Sequence, residues 1–166
     1  MKHLLLCTAL LLLSSNASAQ ALWRGVPSGA TPAEVSALVP EAVPVPPAGV
    51  ATEDGQVRLR IPAQELVGTD FEVAFGFEQD KLQTVVLRAR GASPQQARAI
   101  AERLTASLRS QYGLEISTKS RREPVLAGVD RKWSYRRTSM HLQVVEGSVV
   151  QLRYRAEIPR SANPQL

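Results

Sequence analysis

The stretch of sequence that decides the fold class is Phe71–Gly113, which reads FEVAFGFEQDKLQTVVLRARGASPQQARAIAERLTASLRSQYG. Its first half alternates apolar and polar residues on both sides of Gln79-Asp80, which is the pattern of a β-hairpin. In its second half, apolar residues recur at spacings of three and four, as on one face of a helix. A hairpin followed by an amphipathic helix predicts an α+β domain whose helix packs on its sheet.

Two registers are compatible with this hairpin. They differ by one residue, and a shift of one residue turns every side chain of a strand to the opposite face. A two-residue loop places the alternate residues from Leu82 to Val86 on the face of the phenylalanines. One bulged residue would place the alternate residues from Val85 to Ala89 there instead.

The helix that follows carries signals at both ends. Ser93-Pro94-Gln95-Gln96 is typical of a capping box, with serine as the N-cap and proline at the first helical position. Gly113 suits the C-terminal cap, because glycine adopts left-handed backbone conformations at little cost. The apolar face consists of Ala97, Ile100, Ala101, Leu104, Leu108 and Tyr112. We therefore predict one long helix between Ser93 and Gly113.

A second, shorter helix is predicted upstream. Thr31-Pro32-Ala33-Glu34 combines an N-cap threonine, a proline at the first helical position and a capping-box glutamate. Pro40 ends this helix after about two turns. The stretch Pro40–Gly49 contains four prolines, so we expect an extended connector there.

Further strands are predicted on both sides of the long helix. Residues 57–61 alternate apolar side chains with arginines and predict a half-buried strand. Downstream of the helix, a short strand at Leu114–Thr118 and a basic loop at Lys119–Gly128 precede an antiparallel meander formed by Arg131–Arg137, Met140–Val145 and Val149–Ala156.

The predicted element order is α-β-β-β-α-β-β-β. With hairpin-type connections, it indicates an antiparallel sheet of about six strands, with one long and one short helix packed on one face. The repeated order is compatible with a diverged repeat of an α-β-β-β unit. We expect a single domain over residues 31–157, an extended lead-in over 20–30 and a frayed tail over 158–166.

The N-terminus is typical of a secretory signal peptide over residues 1–19. Lys2 and His3 form a short basic start, and Leu4–Leu13 is an apolar run too short to span a bilayer as a mature helix. Ala17-Ser18-Ala19 provides the small-residue cleavage pattern. We expect cleavage after Ala19 and a periplasmic mature chain.

Cysteine usage is consistent with export without disulfides. The only cysteine, Cys7, lies inside the apolar run and would be lost on cleavage. Lipidation at Cys7 would leave too few residues before it for a basic start and an apolar core. We therefore expect a disulfide-free domain stabilised by burial and hydrogen bonding.

The formal net charge is +5 and comes mainly from arginine. We attribute this arginine content to a GC-rich genome rather than to a nucleic-acid partner, because an exported protein rarely meets nucleic acid. After the leader, no apolar stretch approaches about eighteen residues, so we expect no transmembrane segment in the mature chain.

The residues needed for common catalytic and metal sites are scarce in the sequence. The mature chain has one histidine, His141, which is expected to point to solvent from a strand. One histidine without cysteine cannot form an ordinary zinc site, and the sequence has no nucleophile elbow, phosphate loop or calcium loop. The carboxylate pair Glu53-Asp54 lies in a loop that we interpret as solvated. We predict no enzymatic activity, no cofactor and no metal.

Arginine pairs are the main binding candidates. Pairs at i and i+2 lie on one face of a strand. Such pairs occur on three predicted strands, as Arg58 with Arg60, Arg88 with Arg90, and Arg153 with Arg155. On neighbouring strands they would form a basic patch suited to an acidic protein or to an anionic lipid surface. The alternative interpretation is a solvated outer face balanced by nearby glutamates.

Two tryptophans are candidate anchors. Trp133 alternates with Tyr135 on a strand and is predicted to be a core residue. Trp23 lies four residues into the predicted mature chain, where it either pins the N-terminus to the domain or binds a partner. We favour pinning and keep Trp23 among the candidate partner-binding residues.

Residues Gly29–Val35, a capped short helix that leads to strand hairpins, resemble the opening of small periplasmic modules of the SmpA/BamE-like outer-membrane assembly type. Phe71–Leu87 resembles the hairpin of such modules and of secreted inhibitor and toxin-immunity proteins of Gram-negative bacteria. The tandem order of helix and strands is similar to the β-lactamase-inhibitor-protein architecture. That resemblance implies a flat or concave sheet face that binds another protein.

From these observations we predict a non-enzymatic periplasmic protein-binding module. The first hypothesis is an inhibitor or immunity protein for a secreted toxin or hydrolase with an acidic surface. The alternative is an accessory module of outer-membrane or envelope assembly.

Overall fold

An antiparallel sheet with two helices forms the fold, and the protein is therefore of the α+β class. The computed structural model describes residues 21–46, 53–118 and 129–157. The predicted leader, part of the proline-rich connector, the basic loop 119–128 and the predicted frayed tail lie outside the described residues.

The helices are α1 (Pro32–Leu38) and α2 (Pro94–Tyr112). The strands are β1 (Ala21–Trp23), β2 (Val26–Pro27), β3 (Val43–Pro44), β4 (Gln56–Leu66), β5 (Thr69–Glu78), β6 (Lys81–Arg90), β7 (Ser117–Thr118), β8 (Asp130–Tyr135), β9 (Thr138–Val145) and β10 (Val149–Ala156). The six longer strands, β4 to β6 and β8 to β10, correspond to the strands predicted from the sequence.

The main sheet has the strand order β3-β4-β5-β6-β10-β9-β8-β7. It consists of two meanders that meet where β6 pairs with β10 in antiparallel orientation. We call α1 with β3–β6 the N-terminal unit, and α2 with β7–β10 the C-terminal unit. Each unit is a helix followed by four strands, which is one strand more than in the α-β-β-β unit predicted from the sequence.

One face of the sheet carries the core. Directly opposed residues form an apolar row across four strands, from Val73 through Leu87 and Leu152 to Leu142, and all four are buried. Both helices bury apolar side chains in the same cluster, which includes Val35 of α1. We call the opposite side of the sheet the outer face.

The β5–β6 hairpin has both the two-residue loop and the bulge that the sequence predicted as alternatives. Gln79 and Asp80 form a two-residue turn with φ values of 47° and 59°, and Phe77 pairs with Leu82. A bulge then follows, because Gly76 pairs with Thr84. Leu82 is therefore buried together with the residues of the bulged register, Val85, Leu87 and Ala89. Thr84 and Val86 lie on the outer face.

The helix signals are largely confirmed. At α1, the Thr31 hydroxyl accepts from the Glu34 amide, and the Glu34 carboxylate accepts from the Thr31 amide at 2.7 Å. At α2, Ser93 caps the Gln96 amide, but the Gln96 side chain accepts from the Ala92 amide rather than from the N-cap. All of the predicted apolar face of α2 is buried except Tyr112, which is partly buried.

The lead-in before α1 is a folded hairpin rather than an extended segment. β1 pairs with β2 across an Arg24-Gly25 turn, and Leu22, Trp23 and Val26 are buried in the core. Backbone hydrogen bonds also join residues 29 and 30 to Leu82. Packing therefore extends the domain from the expected start at residue 31 back to Ala21.

Candidate functional site: the outer face of the sheet

Alternation places the predicted arginines on the outer face. Arg60, Arg88, Arg90, Arg153 and Arg155 occupy outer-face positions in the strand register. Arg58 lies at a bulge between the Val57 and Leu59 pairings of β4. Because β4, β5, β6 and β10 are consecutive in the sheet, the three pairs share one surface.

A loop at Glu53–Gly55 lies across the middle of this surface. The Asp54 carboxylate lies between two arginines, with Oδ1 2.6 Å from Arg153 Nε and Oδ2 3.3 Å from Arg88 Nη2. Asp54 is 5 % exposed. The interpretation of Glu53-Asp54 as a solvated pair is therefore wrong for Asp54, because strand register brings two guanidinium groups beneath it and they compensate for its burial.

Small residues allow this close approach. A Cβ atom on Gly76 of β5 would overlap the Asp54 carbonyl oxygen. The same oxygen accepts a hydrogen bond of 2.5 Å from the buried Thr84 hydroxyl. Gly55 has φ +80°, which suits glycine, and a Cβ there would crowd the Phe77 backbone. The loop is thus held on the sheet by backbone fit as well as by charge.

Two further contacts complete the loop attachment. The Glu53 carboxylate accepts from Arg153 Nη2 at 2.6 Å, and the Glu53 carbonyl accepts from Arg155 Nη2 at 2.8 Å. Arg88 Nε donates to the buried Gln151 side chain at 2.9 Å. Three of the six predicted arginines, Arg88, Arg153 and Arg155, therefore converge on one short acidic loop.

The other three arginines make peripheral ion pairs. Arg58 pairs with Asp80. Arg60 pairs with Glu72 at 3.8 Å, and Arg90 pairs with Glu146 at 3.9 Å. All six of these side chains are well exposed, so water and salt screen the pairs and each contributes little to stability. These arginines remain accessible to a partner's carboxylates.

His141 also lies on the outer face, directly opposite Arg153. It is half-buried, and its Nε2 is 2.7 Å from Asp130 Oδ1 on the adjacent strand β8. The outward orientation was predicted, but the carboxylate partner was not. Only the pairing of β8 with β9 brings Asp130 near His141, and nothing in the local sequence indicates that register.

Both tryptophans are core residues. Trp23 packs edge-on against Phe75 with ring centroids 5.9 Å apart, which agrees with the pinning interpretation and removes it from the outer face. Trp133 is buried as predicted, and its indole Nε1 donates to the Gly113 carbonyl at the end of α2.

Metal-binding clusters and membrane-spanning helices are both absent from the described ranges. No group of three or more His, Cys, Asp or Glu residues among residues 21–46, 53–118 and 129–157 could hold a metal ion. Within the same ranges, neither helix has the length and apolar character required to cross a bilayer.

Comparison with known proteins identifies no family. No protein-family model matches the sequence, and no curated protein matches it. The structure is similar to the crystal structure of a DUF4309 family protein (YjgB) from Bacillus subtilis subsp. subtilis str. 168. The TM-score is 0.42 and the sequence identity 15 %, over 76 % of this chain and 78 % of that chain.

Proposed function

We propose that this protein is an exported, non-enzymatic protein-binding module of the periplasm. Its outer face would bind an acidic surface of a secreted toxin or hydrolase, as an inhibitor or immunity protein does. The leader-like residues 1–19 support export. The observation that carries the binding proposal is the Glu53–Asp54 loop, whose two carboxylates are already held by outer-face arginines of this same chain.

Two features of the outer face support the protein-binding proposal. It is built on long paired strands, which hold side chains more rigidly than loops do, and the helices pack on the other side. Guanidinium groups bind carboxylates through paired hydrogen bonds and are favoured interface residues. Peripheral Arg58, Arg60 and Arg90 would meet the partner first, and their weak intramolecular pairs would be exchanged for intermolecular ones.

The test starts with partner isolation. The exported protein, its N-terminus determined by intact mass, is immobilised and exposed to envelope and secreted fractions at low salt. A retained toxin or hydrolase that is released at high salt supports the proposal. Recovery of outer-membrane assembly components would instead indicate the accessory role, and retention of anionic vesicles would indicate a lipid surface.

Charge reversal then tests the face. Arg60→Glu combined with Arg90→Glu should slow association with the isolated partner by about tenfold at low salt, because electrostatic steering acts mainly on the association rate. Arg136→Glu combined with Arg137→Glu is the matched control, since it changes the net charge by the same amount and both residues lie in the β8–β9 turn rather than on a sheet face. Equal rates for both variants would rule out the outer face as the binding surface.

A further inference from the structure

A separate cleft lies on the helix side of the sheet. It is bounded by the β1–β2 turn, the last turn of α2 and the β8–β9 turn, and its volume is about 600 Å³. That volume falls within the range of small-molecule sites in proteins. Tyr135 and Thr138, which line it, share the face of the buried Trp133–Met140 pair, so the cleft and the outer face lie on opposite sides of the sheet.

The floor and walls of the cleft are apolar and aromatic. Leu22, Trp23 and Met140 line it and are otherwise buried in the core. Tyr112 and Tyr135 stand side by side with ring centroids 5.5 Å apart. Tyr135 is 42 % exposed, which is high for an aromatic residue that borders a core. A flat apolar body placed in the cleft would cover this ring and the partly buried ring of Tyr112.

The charged residues that line the cleft are all cationic. They are Arg24 and Arg136, and no carboxylate is among the lining residues that the structure describes. Arg24 stacks over Trp23 at 5.2 Å and is held by Glu41 at 2.8 Å and Gln64 at 2.7 Å. The Arg136 guanidinium stacks over Tyr135 at 5.1 Å.

Arg136 differs from Arg24 in its charge balance. Within the described part of the chain, Arg136 forms no ion pair, whereas Arg24 is paired with Glu41. A guanidinium fixed on an aromatic ring at the rim of an apolar cleft is well placed to bind an incoming anion. The pKa of the Tyr112 hydroxyl is raised, mainly by burial and to a smaller extent by the neighbouring Tyr135. Tyr112 is therefore protonated at neutral pH.

We propose that this cleft binds a small carboxylic acid with a flat aromatic body. The body would lie between Trp23 and the two tyrosines, and the carboxylate would pair with Arg136 at the rim. This function is independent of partner binding by the outer face.

Naphthalene-2-acetate is the probe, and its neutral amide is the matched control compound. Binding to the exported protein is measured by titration calorimetry and by ¹⁵N NMR of the two indole N–H groups. The acid should bind at least about tenfold more tightly than the amide, because a charge-assisted pair is lost with the amide. The Trp23 indole signal should shift more than that of Trp133. Equal affinity for both compounds, or no binding of either, would overturn the proposal.

A pair of variants locates the carboxylate. Arg136 and Arg137 occupy the same turn with φ values of 48° and 63°, and only Arg136 lines the cleft. Asparagine tolerates this backbone conformation, so Arg136→Asn and Arg137→Asn should both fold. We expect Arg136→Asn to weaken naphthalene-2-acetate binding about tenfold and Arg137→Asn by less than about twofold. Equal losses would show that the cleft does not position the anion. The comparison of acid with amide needs no variant and tests the proposal even if one variant misfolds.

Discussion

The N-terminal unit places a seven-residue helix on its strands, whereas the C-terminal unit places a nineteen-residue helix on shorter strands. Helix α1 buries only Val35, while α2 buries six residues. The β1–β2 hairpin adds Leu22, Trp23 and Val26 to the core and packs on strands of both units, because β1 contacts β6 as well as β10. The two units have the same order of helix and strands, but their apolar sheet faces are buried by different elements. Either a helix or a hairpin can supply the apolar side chains that a sheet needs to bury its core face.

The two units are also joined by charge. The Glu53–Gly55 loop precedes β4 in the N-terminal unit, yet its partners Arg153 and Arg155 belong to β10 of the C-terminal unit. This contact crosses the β6–β10 junction on the outer face, while the apolar row crosses the same junction on the inner face. The junction is therefore held from both sides of the sheet.

The largest loss of stability is expected for a substitution in the β1–β2 hairpin. Trp23→Ala should lower the free energy of unfolding by about 3–5 kcal/mol, because it removes a buried ring packed against Phe75. Denaturant unfolding measures the change. Arg24→Ala, in the adjacent exposed turn, should cost less than about 1 kcal/mol. A loss below about 1 kcal/mol for Trp23→Ala would mean that the β1–β2 hairpin is not part of the core.

A similar loss of stability should follow from truncating a buried side chain of α2. Leu104→Ala should cost about 2–5 kcal/mol, because Leu104 lies at the centre of the buried face of α2. Gln95→Ala, on the exposed side of the same helix, should change stability by less than about 0.5 kcal/mol. If unfolding midpoints of the two variants coincide, the C-terminal unit does not depend on α2 for its core.

The charged link between the units should contribute an intermediate amount. Asp54→Ala should cost about 2–3 kcal/mol, because it leaves Arg153, whose side chain is only 17 % exposed, without the buried one of its two carboxylate partners. The matched control is Glu53→Gln. Glu53 is 77 % exposed, and this change should cost less than about 1 kcal/mol. Denaturant unfolding measures the loss of stability in both variants. Equal losses would contradict the stabilising role of the buried Asp54 carboxylate.

Within the C-terminal unit, Glu115 makes stability depend on pH. Hydrogen bonds from Arg109, supported by Arg131, hold the pKa of the Glu115 carboxyl at about 2, below its ordinary value of 4.5. The carboxylate therefore stabilises the folded state fully above pH 4.5, and this contribution is lost as the pH falls from 4.5 towards 2.

Unfolding midpoints measured across that pH window test this contribution. Glu115→Gln should reduce the loss of stability between pH 4.5 and 2.5, because glutamine does not titrate. The exposed Glu146→Gln change should leave the acid dependence close to that of the wild type. If the stability of Glu115→Gln depended on pH as that of the wild type does, Glu115 would not be the source of the acid dependence.

Much of the fold could be predicted because its signals are local. The caps at Thr31 and Ser93 and the apolar spacing of α2 lie within a few residues of one another, so helix limits follow from the sequence. Alternation likewise placed each arginine pair on one face. The β5–β6 bulge was left open, because its position depends on Gly76 and Thr84 meeting the Asp54 backbone, which lies far away in the chain.

The site could be predicted only in part. Alternation shows which side chains share a face, but not which carboxylates reach them from other elements. The partners of Arg153 and His141 come from a distant loop and a neighbouring strand. The cleft beside Tyr112 and Tyr135 also had no sequence signal, since three separate elements form its walls.

The sequence by itself therefore determined the α+β class, the order of the longer elements and the alternation of inward and outward side chains, except in β6, where the register was left open. These properties depend on spacings of two to four residues and on caps next to the elements they end. Only the tertiary structure decided that the lead-in is part of the core, that Asp54 is buried between arginines and that a cleft opens beside Tyr135. Those features arise from contacts between residues far apart in the chain, whose geometry depends on strand pairing and packing rather than on local sequence.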